Sequence, residues 1–200
     1  MNKFIFDELP SAQLRLIQNG GVGVLPTDTI YGIVTQVRNT DSVKRLYSLK
    51  SRENKPGTII ASSIQQIIDL GVDPSYVEKV RVFWPNPISI IIPVDDSLSH
   101  VHLGMKSLAF RVVSDPEIAK LLDKTGPLLT SSANEPGKPV ASTIKEAAAY
   151  FGSQVDFYID GDNLANSAAS AVIMIDENGV KILRDSPKLQ ELSKSIEVIA

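Results

Sequence analysis

The chain has 200 residues, 43% of them hydrophobic and 22% charged, with a net charge of −3. These ordinary values argue against disordered and fibrous chains, and the length is enough to bury a sizeable core without covalent staples. There is no cysteine, which removes disulfides, thiolate zinc sites and a cysteine nucleophile from consideration.

In chain order, Ser11 to Gln18 carries Leu14, Leu16 and Ile17 and runs into Asn19-Gly20-Gly21, a helix with a glycine stop. Val22 to Leu25 reads as a short apolar strand ended by Pro26, which cannot donate to a ladder. The polar run Thr27-Asp28-Thr29 follows, then Tyr31-Gly32. Thr40-Asp41-Ser42 supplies capping residues for a helix with Val43, Leu46, Tyr47 and Lys50 at i, i+3, i+4 and i+7. Pro56-Gly57 predicts a turn, Thr58 to Ala61 a buried strand, and Ser63 the cap of a helix through Ile67, Ile68 and Leu70. Pro74 opens another helix carrying Tyr76, Val77, Val80 and Phe83.

Trp84-Pro85-Asn86-Pro87 is a rigid turn ahead of a buried strand at Ile88 to Pro93. Asp95 to Met105 holds both histidines and little periodicity, and is expected to be a loop. Leu108 to Val113 is a strand with Arg111 inside it, and Ser114-Asp115-Pro116 starts a helix through Ile118, Leu121 and Leu122. Pro127 to Thr130 is a strand, followed by Ser131-Ser132-Ala133-Asn134 and the loop Glu135-Pro136-Gly137-Lys138-Pro139. Thr143 and Glu146 have capping-box spacing for a helix to Phe151. Val155 to Ile159 is a strand, and Asp160 to Asn166 an acidic loop. Ala171 to Ile175 and Val180 to Leu183 form a hairpin across Glu177-Asn178-Gly179, with a primed turn at Asn-Gly. Pro187 to Ser195 is a terminal helix.

Strands and helices alternate until a hairpin closes the chain, which predicts one α/β domain with a mixed sheet and no linker or repeat. The N-terminus lacks the long apolar stretch and cleavage site of a signal peptide. The longest dense apolar run, Ile88 to Val94, is far below the roughly 18–20 residues of a membrane span. A soluble cytoplasmic protein is the expectation.

Several common sites are absent: no Walker loop, no Rossmann fingerprint and no nucleophile elbow. His100 and His102 lack the further ligands that would complete a metal centre. What remains is a set of cations, hydroxyls and an amide. Lys50 and Arg52, two apart at a helix end, can converge on one anion, or simply complement the helix dipole. Arg111 lies in a strand apolar enough to be buried and needs a partner, either an ion pair within the chain or a substrate carboxylate. Ser132 and Asn134, two apart after a strand, present a hydroxyl and an amide, or ordinary turn chemistry. Between Arg38 and Lys55, six basic residues (Arg38, Lys44, Arg45, Lys50, Arg52, Lys55) face two acidic ones (Asp41, Glu53). This local positive patch on an acidic chain suits a phosphate, or is a solvated helix face.

Taken in order, Pro26-Thr27-Asp28-Thr29-Ile30-Tyr31-Gly32, Lys50-Ser51-Arg52, Trp84-Pro85-Asn86-Pro87, Ser107-Leu108-Ala109-Phe110-Arg111 and Ser132-Ala133-Asn134 before Gly137-Lys138-Pro139 resemble the YrdC-like family. The likeness is to threonylcarbamoyl-AMP synthases of the TsaC type and runs from about Gly20 to Arg184. It implies a single YrdC-like domain over 1–200, core about 8–185, without the extra C-terminal domain of longer relatives. The implied fold is a twisted, mixed parallel and antiparallel open sheet with flanking helices and a large central cavity. The implied reaction joins L-threonine, bicarbonate or CO2, and ATP into threonylcarbamoyl-AMP with release of pyrophosphate, for the t6A modification of tRNA.

By the same resemblance Lys50 and Arg52 would be catalytic, and Lys50, Arg52, Ser107, Asn134, Ser142 and Arg184 would contact ATP. Thr27, Thr29, Arg111, Ser132 and Ser170 would surround threonine, with Arg111 on its carboxylate. Mg2+ would ride on the ATP phosphates with no protein ligand. The partners would be tRNA and the proteins that complete the transfer. The chain departs from the family pattern at Arg52-Glu53-Asn54-Lys55-Pro56, which lacks a proline after the arginine and is one residue short. It also departs at Ala61 or Ser62, where many relatives carry histidine, at Ala169-Ser170-Ala171, and at Asp185. Two other readings are an RNA-binding module on this fold, supported by the basic run, and a divergent member with different nucleotide chemistry.

Overall fold

The computed structural model describes residues 4–51, 55–176 and 179–197. Among these residues one sheet is built from β1 (Gly23–Pro26), β2 (Tyr31–Gln36), β3 (Thr58–Ala61), β4 (Ile88–Pro93), β5 (Ser107–Val112), β6 (Leu128–Ser132), β7 (Phe157–Tyr158), β8 (Ala171–Asp176) and β9 (Gly179–Arg184). Their spatial order is β7-β1-β2-β6-β3-β5-β4-β8-β9. The pairs β1/β7, β3/β5 and β4/β8 are parallel, and the other neighbours are antiparallel. The sheet is therefore mixed and open, as expected.

Strand alternation gives the sheet two chemically different faces. Ile59 lies in register with Phe110 and Leu129, and these side chains share one core with Ile33, Ile90 and Ile173. That face is covered by α2 (Thr40–Leu49), α4 (Pro74–Val80) and α7 (Ile144–Phe151) through Val43, Leu46, Val77, Val80, Ala147 and Phe151. Ile60 points the other way, with Leu128 and Val34, under Ile17 of α1 (Ser11–Gln18) and Ile118, Leu121 and Leu122 of α6 (Pro116–Thr125).

Thr58, Ala109 and Thr130 are register partners two residues before or after that second row, so they share its face. They line an open cleft instead of packing under a helix. Small and hydroxyl-bearing side chains thus occupy the stretch of sheet that α1 and α6 leave uncovered, and this positions the site. The remaining helices are α3 (Ile64–Ile68), α5 (Ser99–His102) and α8 (Pro187–Glu197). No helix among the described residues is long and apolar enough to cross a membrane.

Local departures from expectation have identifiable causes. Asn39, not the Thr40-Asp41-Ser42 run, caps α2, accepting from Ser42 N at 3.1 Å, and the three polar residues form the first turn. Thr143 caps α7 by accepting from Glu146 N, but Glu146 reaches back to Ser142 N at 2.7 Å, so the box closes one residue early. The 95–105 segment is not a plain loop: Asp95 caps a short 3-10 turn at Asp96–Leu98, and α5 follows. Pieces this short leave no periodic signal. The strand at Val155 to Ile159 shrinks to β7, held only by its parallel pairing to β1. Pro26 is the last residue of β1, in register with Tyr31. β8 and β9 pair as an antiparallel hairpin, and Glu177 and Asn178 of the anticipated primed turn lie outside the described residues.

Candidate functional site

The cleft holds about 300 Å³, a volume at the lower end of small-molecule sites. Its wall combines backbone and side chains from β1–β2, β3, β4, β5, β6 and the β8–β9 hairpin. Among the described lining residues there are two arginines, eight Ser or Thr residues and no aspartate or glutamate.

The floor is the turn between β1 and β2. The Thr27 hydroxyl donates to Ile30 O at 2.7 Å and accepts from the Thr29 and Ile30 amides, both at 3.3 Å. This is hydroxyl turn chemistry following the strand stop at Pro26. Thr27 Oγ1 and Thr29 Oγ1 lie 3.0 Å apart. Because the Thr27 proton is used on Ile30 O, Thr29 is the donor of that pair. Thr29 Oγ1 then accepts from Arg111 Nη2 at 3.5 Å, which strings guanidinium, two hydroxyls and a carbonyl into one chain.

Arg111, near the end of β5, is 3% exposed. Its Nη2 meets Asp28 Oδ1 at 2.7 Å, its Nη1 donates to Ser89 Oγ at 3.3 Å, and its Nε is buried without a partner among the described residues. The structure therefore gives Arg111 an ion pair within the chain and also places it on the cleft wall. Arg184, at the end of β9, donates from Nε to Ser170 O at 2.7 Å and from Nη2 to Ser170 Oγ at 3.1 Å. Ser170 Oγ in turn lies 3.1 Å from Ser89 Oγ. Desolvation, and then the positive charge of Arg111, pull the Arg184 pKa below its ordinary value. Two guanidiniums on a wall with no carboxylate among the described lining residues favour an anion between them.

Lys50 and the Ser132-Ala133-Asn134 stretch come together at the opposite side. Lys50 is 6% exposed, and its ammonium donates to Ser132 O at 2.9 Å, to Asn134 Oδ1 at 2.8 Å and to Asn134 O. Ser132 Oγ donates to the same Asn134 Oδ1 at 2.7 Å, and Asn134 Nδ2 donates to Lys138 O at 2.6 Å. The stretch is fixed against the hairpin by Ala133 N to Tyr31 O at 2.9 Å. Burial pushes the Tyr31 phenol up to about 12. Its hydroxyl accepts from Gly161 N at 2.8 Å and faces Asp162 O at 2.9 Å, which ties the acidic loop to this side of the site.

Of the anticipated residues, Thr27, Thr29, Ser107, Arg111, Ser132, Ser170 and Arg184 line the cleft. Lys50 and Asn134 stand behind Ser132 rather than on the described wall. Ser142 is not on that wall either: its carbonyl accepts from Leu164 N and its amide donates to Glu146. Arg52, with Glu53 and Asn54, lies outside the described residues. Sequence reading missed Asp28, Ser89, Thr58 and Thr130 as site residues. Ser89 carried the same signal as Arg111, a polar residue inside the apolar run Ile88-Ser89-Ile90-Ile91-Ile92, whereas Thr58 and Thr130 become cleft residues only through register. Three of the six basic residues are engaged by the chain itself: Arg38 donates to Asp69 O, Arg45 bridges Asp156 Oδ2 and Gln154 O, each at 2.6 Å, and Lys50 is buried. Those contacts weaken the patch on which an RNA-binding reading rests.

Such a site defines a class, an α/β domain with a cationic, hydroxyl-lined cleft on an uncovered stretch of sheet, a wall chemically suited to small anions. The family model for Sua5, YciO and YrdC proteins, described as telomere recombination, matches residues 15–186, and the chain belongs to this family. It is 34% identical over 154 residues to a threonylcarbamoyl-AMP synthase of Coxiella burnetii, covering 74% of this chain and 82% of that one. A P. abyssi Sua5 variant superposes with a TM-score of 0.81 at 24% identity, over 94% of this chain and 61% of that one. P. abyssi Sua5 complexed with L-threonine superposes with a TM-score of 0.74 at 25% identity, over 86% of this chain and 52% of that one. The chain thus spans between half and two thirds of the length of these two structures, but most of the curated relative.

Proposed function

We propose that the protein is a threonylcarbamoyl-AMP synthase, an enzyme that makes threonylcarbamoyl-adenylate and pyrophosphate from L-threonine, bicarbonate or CO2, and ATP for the t6A modification of tRNA. The observation that carries this reading is the wall chemistry of the cleft, two guanidiniums and eight hydroxyls with no acidic side chain among the described residues. The threonine carboxylate, the carbamate and the triphosphate all bring negative charge to such a wall. The relatives named above supply the particular reaction.

In this mechanism Arg111 holds the threonine carboxylate, with Thr27, Thr29, Ser132 and Ser170 around the amino acid. The amine adds to CO2 and passes a proton to bicarbonate or solvent water, giving a carbamate that decomposes in bulk water and so is kept inside the cleft. A carbamate oxygen attacks the α-phosphorus of ATP, the bond to the bridging oxygen breaks, and pyrophosphate leaves. Arg184, Ser107 and Asn134, with Lys50 and Arg52 from the 50–52 segment and Ser142, are the groups assigned to ATP. The positive charge of Arg184, Lys50 and Arg52 offsets the negative charge that grows on the leaving group. No acid or base lines the described wall, so positioning and electrostatics are the sources of rate. The absence of carboxylates from that wall fits a Mg2+ held by phosphate oxygens, where it would neutralise charge on the nucleotide.

The direct test is pyrophosphate release with ATP, Mg2+ and bicarbonate, with and without L-threonine. Threonine-dependent release is expected. Release that is independent of threonine, or that needs another amine, points to a divergent member of the family, and no release with any amine removes the synthase reading.

A further inference from the structure

We propose that Asp28 is a positioning residue for the substrate amino acid: it clamps the Arg111 guanidinium from behind the cleft wall and so fixes the direction in which Arg111 presents its remaining donors. This rests on the reading above, in which Arg111 takes the threonine carboxylate.

Asp28 does not touch the cleft. Its side chain is completely buried and lines a second, smaller cavity of about 170 Å³ on the far side of the Thr27–Thr29 turn. The turn is a thin wall, with Thr27 and Thr29 on both sides of it and Asp28 on the outer side alone. From there Asp28 Oδ1 reaches Arg111 Nη2 at 2.7 Å, while Oδ2 accepts from Ser114 N at 3.4 Å. The turn that carries Asp28 is itself held by the Thr27 hydroxyl, so the carboxylate is presented from a fixed backbone.

A guanidinium has five N–H donors in a rigid fork. Asp28 takes one edge of Arg111, Ser89 Oγ makes a long contact at 3.3 Å, and Nε is buried with no partner among the described residues. What is left among the described residues is one Nη1 proton and the buried Nε proton, and on this proposal the Nη1 edge is the one a second carboxylate meets. An anchor is needed because Arg184 stands close enough for its own pKa to feel the charge of Arg111. With no acidic residue on the described cleft wall, Asp28 is the negative group in direct contact with Arg111. Without it, an empty cleft would drive the two guanidiniums apart and Arg111 would lose its aim.

The experiment is Asp28→Asn, which keeps the size of the side chain and removes its charge. Steady-state kinetics should show KM for threonine raised tenfold or more, kcat within about threefold of wild type and KM for ATP unchanged. A lower Tm with an unchanged threonine KM overturns the proposal, and so does a threonine KM loss that persists in full on an Arg111→Lys background, since a brace that merely holds the Thr27–Thr29 turn would act without Arg111. Arg111→Lys separates the roles further, because the double variant should lose no more threonine affinity than Arg111→Lys alone, whereas additive losses would show that Asp28 does not act through Arg111. If Asp28→Asn fails to fold, Asp28→Glu carries the same test by displacing the clamp one methylene, and an unchanged threonine KM in it overturns the proposal equally. If wild type shows no threonine-dependent turnover, the functional reading falls by itself. The clamp is then measured by 15N NMR of the Arg111 side chain, whose guanidinium should rotate slowly in wild type and faster in Asp28→Asn; equal rotation refutes the clamp.

Discussion

The Lys50 ammonium gives three contacts to oxygens of one short segment, Ser132 O, Asn134 O and Asn134 Oδ1, from a largely buried position. Lys50→Ala should therefore release the Ser132–Asn134 stretch as well as remove a cation. We expect pyrophosphate release to fall about 100-fold or more, the scale of losing one preorganised charge-stabilising group. Lys50→Arg should not restore it, because a planar fork cannot meet three convergent acceptors as a compact ammonium does. Near-wild-type turnover in Lys50→Ala would take this lysine out of the mechanism. Tyr31 offers a pH test. Its folded pKa of about 12 lies above the ordinary 10.0, so the folded chain holds the phenol proton more tightly than the unfolded chain. The resulting stability is complete below about pH 10 and is lost as pH rises towards 12. Urea unfolding at stepped alkaline pH should show this decline in wild type and a shallower one in Tyr31→Phe. Equal slopes would show that the buried phenol does not contribute to alkaline instability.

At the level of elements, the β1–β2 hairpin and β6 meet so closely that Gly32 has no room for a side chain. A Cβ there would lie 2.5 Å from Thr130 Oγ1 and 3.1 Å from Thr27 Cγ2, both residues of the cleft wall. Gly32→Ala should cost about 1–3 kcal/mol by overpacking, seen as a lower urea midpoint, and should lower activity because Thr27 and Thr130 must move. An unchanged midpoint would mean that the hairpin shifts freely. The helices were readable because Ser63, Asp115 and Thr143 stand where an N-cap belongs, and each accepts from the backbone two or three residues on. β2 escaped the reading for the opposite reason. Tyr31 to Thr35 are all buried, so no polar alternation marks them, and Gly32 interrupts the apolar run. Pairing with β1 on one side and β6 on the other makes them a strand.

Across the whole molecule, distant segments supply each part of the site. Arg111 and Asp28 are 83 residues apart in the chain, and Lys50 and Asn134 84 apart, so the cleft exists only in the assembled sheet. The basic Arg38–Lys55 run illustrates the same dependence, since the fold pairs the exposed Arg45 with Asp156, 111 residues away in the chain, whose carboxyl it pulls below the usual range. We therefore expect only weak, salt-sensitive association of the isolated protein with tRNA, measured by filter binding at physiological salt. Tight binding abolished by Arg45→Ala would restore the RNA-binding reading.

The sequence by itself determined what depends on neighbours along the chain: helix starts and stops, the buried strands at Thr58, Ile88 and Leu108, the mixed α/β class, and the ordered short motifs that mark the family. It also showed that Arg111 must have a partner, because a cation inside an apolar strand is costly unpaired. Only the tertiary structure decided which partner, since Asp28 reaches Arg111 across the sheet from a turn in which the sequence marked Thr27 and Thr29, not Asp28, as site residues. Register decided the rest. One face of β3, β5 and β6 is core where Ile60 and Leu128 meet α1 and α6, and becomes the cleft two residues away at Thr58 and Thr130, beyond the reach of those helices. That difference lies in what covers each residue, a property of the packed molecule that no local pattern encodes.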